Sequence, residues 1–297
     1  MPLVEYWIDE QRVSFQLDGQ TEKGPGAVLL ETDDNILSGT PWDAQGYCVK
    51  PFLSEPQLAA LRRGFAQLIR AEVEAQGIRI PGEFCLEKYH RLVTDEQHAA
   101  IIKRTRIGFE RQQFPIRLAE VEQRVSQICG TALTVDGANY RGRPFFLRIV
   151  RPHKPQDNNP PHRDVWLDHL RDGVNIYFPV AGSNRLSSLP VLPGSHKWSE
   201  AEIERSVNGA KIEGLNYTVP TVTNARMPLR MTRPDPAAGE VLVFSPYLIH
   251  GGAANLNDDL TRVSLEMRLW RRSAAPCQPL PVQVQLPSFP LVPGDAA

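Results

Sequence analysis

The segment "NNPPHRDVWLDHL", Asn158 to Leu170, places His162 and Asp164 two residues apart. In an extended strand successive side chains alternate, so residues i and i+2 project from one face. Pro160 and Pro161 just upstream favour extended backbone, and the pair could then chelate one metal ion. A third ligand must come from elsewhere, and the other histidines are His90, His98, His153, His169, His196 and His250. His250 has the most suggestive context: it closes the β-forming run "GEVLVFSPYLIHGG" and is followed by glycine. Two histidines and one carboxylate on one face of an octahedron leave three positions open, as in non-haem Fe(II) oxygenases. A lone H-x-D tripeptide equally describes a loop histidine beside a turn-forming aspartate.

Twelve residues beyond His250 the stretch "RVSLEMRLW" puts Arg262 and Ser264 on one strand face. A planar guanidinium grips a carboxylate through two parallel hydrogen bonds, and a nearby hydroxyl adds another. An arginine in so apolar a strand requires an anionic partner. That partner is either a dicarboxylate co-substrate reaching the metal or one of the neighbouring Asp258 and Asp259. Asp168 and His169, four and five residues past Asp164, read as loop or solvent residues rather than ligands.

The elements that must position these groups fall into two parts. "YWIDEQRVSFQL" and "GAVLLETDD" read as a hairpin-like β extension over residues 1–40. A helix opens at "SEPQLAALRRGFAQLIRAEVEAQG", with Ser54 as N-cap, Gln57 three residues on, Pro56 in the first turn and Gly77 as its stop. Leu58, Leu61, Phe65, Leu68, Ile69 and Val73 share one face of it and call for a packing partner. A second helical region lies between Asp95 and Cys129, broken near Pro115. From Thr131 the pattern turns to short strands: "TALTVDG", "FFLRIVRP", "GVNIYFPV", "SSLPVLPG", "PLRMTRP", "EVLVFSP" and "RVSLEMRLW". The expectation is a helical part over 54–129, a β core over 131–272 and a proline-rich tail over 273–297 that runs across the surface. Residues 41–297 then form a single domain.

Among 297 residues, 33 Lys and Arg nearly cancel 34 Asp and Glu. That balance gives no electrostatic reason to expect nucleic acid or an anionic membrane as partner. No run reaches about 18 apolar residues, so no membrane span is expected. Cys48, Cys85, Cys129 and Cys277 are scattered without a C-x-x-C pair and read as reduced, mostly buried thiols. With no signal peptide at the N-terminus, the expected location is cytoplasmic. Homo-oligomerisation is left open.

Taken in order, H-x-D at His162 and Asp164, the distal His250 and R-x-S at Arg262 and Ser264 resemble the iron(II)/2-oxoglutarate-dependent oxygenases. The narrower resemblance is to the phytanoyl-CoA dioxygenase-like family. "GYCVKPFLSEPQLAALRRGF" resembles that family's entry into its first helix, and "LPVLPGSHKW" its proline-glycine-serine-histidine turn. The resemblance spans roughly Trp42 to Arg272. It departs in "GSNRLSSLP", where the family has an asparagine-glycine stretch.

The resemblance implies a mainly β fold with packed helices, a double-stranded β-helix (jelly-roll, cupin-like) barrel. It implies Fe(II) held by the catalytic residues His162, Asp164 and His250. It also implies 2-oxoglutarate held at its far carboxylate by Arg262 and Ser264, with O2 as the other co-substrate. Asn175, where the family often has tryptophan, and Arg148 are candidates for the co-substrate. Tyr177, Trp166, Arg163 and Arg268, with Arg143, are candidates for the substrate. His196, in the histidine turn, is expected to hold a loop. The implied reaction is hydroxylation of a small polar metabolite, such as an amino acid derivative, a sugar-like compound or a specialised-metabolite intermediate, with release of succinate and CO2. Two rivals are a jelly-roll metal-binding module without turnover and a zinc or manganese metallohydrolase at the same ligands.

Overall fold

The structure, a computed structural model, describes residues 2–24, 35–80, 82–108, 116–136, 145–167 and 170–272. The stretch "GAVLLETDD", the break near Pro115, Arg143, Asp168, His169 and the tail with Cys277 lie outside them.

The first strands, β1 (Leu3–Ile8) and β2 (Gln11–Asp18), form a hairpin around the first of the two expected segments alone, with Val4 opposite Phe15 and Ile8 opposite Gln11. Asp9 and Glu10 both take positive φ, 50° and 75°, the turn geometry that matches the strand twist. The hairpin is not a free extension. β1 pairs with β12 (Arg230–Met231), β2 with β9 (Ala210–Ile212), and β3 (Thr21–Lys23) with β8 (Ile203–Ser206).

Beyond β3 comes a strand absent from the sequence reading, β4 (Tyr47–Pro51), which pairs antiparallel with β13 (Glu240–Phe244). Helix α1 (Glu55–Ala75) starts at the Ser54–Gln57 capping box and ends before Gly77 at φ 75°. Its buried residues, Leu61, Phe65, Ile69 and Val73, belong to the anticipated face. Helices α2 (Asp95–Gly108) and α3 (Leu118–Cys129) follow, and then β5 (Leu133–Thr134), β6 (Phe145–Val150) and β7 (Gly173–Ala181). The last strand, β14 (Arg262–Arg271), lies between β7 and β6 in the first sheet, ordered β4-β13-β7-β14, with β5 and β6 both on β14.

Alternation decides what each face of this sheet does. Val174, Ile176, Phe178 and Val180 of β7, with Val263, Leu265, Met267 and Leu269 of β14, pack in one core with the buried faces of α1 and α3. The intervening residues, Asn175 and Tyr177 on β7 and Arg262, Ser264, Glu266 and Arg268 on β14, therefore point to the opposite side. There Tyr177, Leu242 and Phe244 meet Leu189, Val191, Leu248 and Ala253 of a second layer.

That second layer consists of two short sheets, ordered β10-β9-β2-β1-β12 and β11-β8-β3, where β10 is Leu215–Tyr217 and β11 is Val222–Ala225. Single bridges span the gap between them: Val191 to Thr232, Val191 to His250, and His162 to His250. The Val222 amide then donates to the Pro161 carbonyl at 2.8 Å. Pro160, Pro161, Pro190, Pro193 and Pro246 flank these bridging segments, and proline has no N–H for a regular ladder. This is why "SSLPVLPG" forms only isolated bridges, both at Val191, instead of the expected strand. The two layers face each other as a β-sandwich of jelly-roll type, with helices packed outside the first sheet. No closed barrel forms among the described residues, which corrects that part of the expectation.

Candidate metal and co-substrate site

His162 and His250 sit on the bridging segments, each accepting the other's backbone amide, at 2.8 and 3.0 Å. Such an approach requires a glycine after His250. A Cβ on Gly251, at φ 108°, would lie 2.6 Å from the Pro160 carbonyl and 3.0 Å from His162 Nδ1.

Both rings are oriented in the same way. His162 Nδ1 contacts the Pro160 carbonyl at 2.7 Å, and His250 Nδ1 contacts the Leu248 carbonyl at 2.9 Å. A carbonyl only accepts, so each Nδ1 carries the proton and each Nε2 presents a lone pair. Burial, and after it the neighbouring His162, pulls His250 down to about 4, which favours the neutral, ligating form.

Asp164 completes the group. Its Oδ1 lies 3.3 Å from His162 Nε2 and 3.6 Å from His250 Nε2. Its Oδ2 accepts from Arg268 Nη2 at 2.8 Å, Arg268 Nε at 3.1 Å and Asn175 Nδ2 at 3.0 Å. Three N–H groups thus occupy one carboxylate oxygen and leave the other to face the histidines. Burial alone would raise this carboxyl, but Arg268 and the histidines outweigh it and hold Asp164 well below the usual range.

The three ligand atoms lie within 4.8 Å of one another, and all three residues are buried. Two donors about 2.1 Å from an ion and at right angles are about 3.0 Å apart, close to the carboxylate–imidazole spacings here. Two imidazole nitrogens and one carboxylate oxygen, with no thiolate, suit iron(II).

A cavity of about 30 Å³ opens beside the group, lined by both histidines and by Arg148, Asn158, Arg262 and Glu266. Arg262 is 3% exposed and held from behind, donating through Nη1 to the Ser187 carbonyl and through Nη2 to Asn158 Oδ1 at 3.0 Å. Neither nearby aspartate neutralises it. Asp259 is taken by Lys88, His90 and Arg91, and Asp258 lies 3.5 Å from His153. Arg262 Nε and Ser264 Oγ are buried without a hydrogen-bond partner. Buried polar atoms are seldom left so, and these two suit a carboxylate.

The remaining expected residues divide. Arg268 and Asn175 are at the site but grip Asp164, where a substrate and a co-substrate role were expected. Arg148 lines the cavity with its Nε 3.3 Å from both oxygens of Glu266. Tyr177 is fully buried, its hydroxyl 3.0 Å from Ser183 Oγ. Arg163 and Trp166 turn away from the cavity, and both reach Glu200, Trp166 Nε1 at 3.0 Å. His196 is fully buried, with Nε2 2.7 Å from the Asp43 carbonyl, and holds the loop as expected. Glu266, Asn158 and Glu200 were missed. For Glu266 the signal was present, since it follows Ser264 by two residues on the same strand face.

The family model described as phytanoyl-CoA dioxygenase (PhyH) matches residues 42–264. No curated protein matches the chain. Among solved structures, EctD from S. alaskensis with 2-oxoglutarate and 5-hydroxyectoine is 16% identical, with a TM-score of 0.44 over 87% of each chain. AviO1 from Streptomyces viridochromogenes Tue57 is also 16% identical, with a TM-score of 0.43 over 80% of this chain and 95% of its own. EvdO2 from Micromonospora carbonacea var. aurantiaca is 15% identical, with a TM-score of 0.44 over 80% of this chain and 92% of its own.

Proposed function

Because the chain belongs to the phytanoyl-CoA dioxygenase family, and is therefore an iron(II)- and 2-oxoglutarate-dependent oxygenase, we propose that it hydroxylates a small polar metabolite. In this reading His162, Asp164 and His250 hold the iron, while Arg262 and Ser264 hold the far carboxylate of 2-oxoglutarate. The observation that carries it is the pairing of a buried His-Asp-His group with Arg262 Nε and Ser264 Oγ, both lacking partners, on the adjoining strand face. With O2, bound iron and 2-oxoglutarate supply the oxidising power that breaks a substrate C–H bond and yields succinate and CO2.

The chain's own part is positioning. The Pro160 and Leu248 carbonyls fix the two imidazole tautomers. Arg268 and Asn175 hold Asp164 Oδ2, so the carboxylate offers one oxygen and coordination positions stay open for the reactants. Arg262, already hydrogen-bonded through Nη1 and Nη2, is preorganised for a carboxylate on its Nε edge. On the substrate side the Arg148–Glu266 pair offers both donors and acceptors, which supports a polar substrate over a purely apolar chain. A metallohydrolase at the same ligands would leave Arg262 Nε and Ser264 Oγ without a use.

The test is anaerobic addition of Fe(II) and then 2-oxoglutarate, followed by the visible charge-transfer band of the chelate. Admission of O2 with a panel of amino acid derivatives and sugar-like compounds should then give substrate-dependent succinate. Absence of the band rules out the assigned site, and succinate formation driven only by fatty-acyl thioesters rules out the assigned substrate class.

A further inference from the structure

Resting on the reading that Arg262 receives the co-substrate's carboxylate, the geometry points to Asn158 as an additional donor to that carboxylate. Arg262 Nη2 donates to Asn158 Oδ1 at 3.0 Å, and a guanidinium can only donate, so the oxygen faces the arginine and Nδ2 is directed elsewhere. That Nδ2 is buried and has no hydrogen-bond partner. Arg262 Nε and Ser264 Oγ share this condition, and Arg262 and Asn158 both line the cavity beside the histidines. Nε and Nη2 form one edge of the guanidinium, and Asn158 binds Nη2. A carboxylate seated on that edge therefore lies beside the Asn158 amide.

Buried N–H groups without acceptors are costly, and one anionic group would satisfy all three residues together. Asn158 also precedes His162 by only four residues. The co-substrate's far end is thereby fastened to the segment that supplies two of the metal ligands, as well as to β14.

The opposing interpretation is that Asn158 only steadies Arg262. Two substitutions separate them, read by anaerobic titration of the Fe(II) protein with 2-oxoglutarate through the visible band. Asn158→Ala removes both functions of the amide. Asn158→Asp keeps an oxygen for Arg262 Nη2 but replaces the donating N–H2 with negative charge. If the amide donates to the co-substrate, Asn158→Ala weakens 2-oxoglutarate binding by about tenfold. Asn158→Asp weakens it further, by about a hundredfold, because a second anion then faces the first. Mn(II) affinity without 2-oxoglutarate stays within about twofold in Asn158→Ala, since that change adds no charge and touches no ligand.

Asn158→Ala binding 2-oxoglutarate within twofold of the parent, or Asn158→Asp binding at least as tightly as Asn158→Ala, overturns the assignment. Arg262→Ala run alongside distinguishes the two levels. If it weakens 2-oxoglutarate while the Asn158 variants behave otherwise than stated, only the asparagine's role fails. If Arg262→Ala leaves affinity unchanged, the co-substrate site itself is misplaced.

Discussion

Arg268 supplies the most informative perturbation, because its removal sets charge against orientation at Asp164. The guanidinium donates twice to Asp164 Oδ2, at 2.8 and 3.1 Å, and the carboxylate is 2% exposed. Arg268→Met keeps much of the volume and deletes the charge. In the metal-free protein Asp164 then lacks its guanidinium, and breaking such a buried pair costs about 3–5 kcal/mol. For a domain of this size that lowers the apoprotein Tm by about 6–15 °C. A bound divalent cation supplies the missing positive charge, so most of this loss disappears in the metal-loaded protein. By linkage, charge alone then tightens metal binding by about two to three powers of ten. Loss of an orienting hydrogen-bond partner works the other way, by about 10–100-fold. Charge wins by about tenfold, so Arg268→Met should bind Mn(II) more tightly than the parent while being less stable without it. Asn175→Ala removes a neutral donor from the same oxygen and should only weaken Mn(II), by about tenfold. Calorimetric titration with Mn(II), beside scanning calorimetry of the apoproteins, reads all of these. Weaker Mn(II) binding by Arg268→Met, or an unchanged apoprotein Tm, would refute the reasoning.

Other outcomes follow from the same contacts. Gly251→Ala would put a Cβ 2.6 Å from the Pro160 carbonyl at φ 108°, so it should separate the two histidine segments and weaken Mn(II) by at least about tenfold; unchanged Mn(II) affinity and Tm would contradict this. Glu200→Ala strands the fully buried Arg163 and should cost about 3–5 kcal/mol in urea unfolding. Since Arg163 and Trp166 point away from the cavity, 2-oxoglutarate affinity should not change, and a large loss would return them to the site. Burial works to raise the Asp157 carboxyl, but hydrogen bonds from Arg151, then His98, carry it from 3.8 down to about 2. A depressed carboxyl stabilises the fold above its unfolded pKa and loses that contribution as pH falls through the folded one. Asp157→Asn should therefore cost about 2 kcal/mol near neutral pH. The difference from the parent should vanish between pH 3.8 and about 2; a constant difference across that window would show that charge is not its source.

Much of the site was legible because it is written in local patterns. H-x-D, the terminal histidine of a β run and R-x-S are short-range features, and strand alternation correctly put Arg262 with Ser264 on a common face. The Ser54 cap and the buried stripe of α1 were legible for the same reason, since capping and helical periodicity act within a few residues. What escaped depends on partners remote in sequence. β4 counts as a strand because β13, about 190 residues later, pairs with it. The hairpin of β1 and β2 was visible, but its incorporation through β12 and β9 was not.

The misplaced roles share one physical cause. Type and proximity in sequence show that an arginine is near a site, but not which acid it meets. Arg163 and Asp164 are adjacent, yet Arg163 is extended while Asp164 opens a short 3-10 turn, and Arg163 goes to Glu200 while Asp164 faces the histidines. Arg268 and Arg262 share a face of β14, and six residues of rise decide between them. Arg268 meets Asp164, whereas Arg262 has no carboxylate within ion-pair reach among the described residues. The contrast between these two arginines, invisible in "RVSLEMRLW", separates the one that grips Asp164 from the one that meets no carboxylate among the described residues.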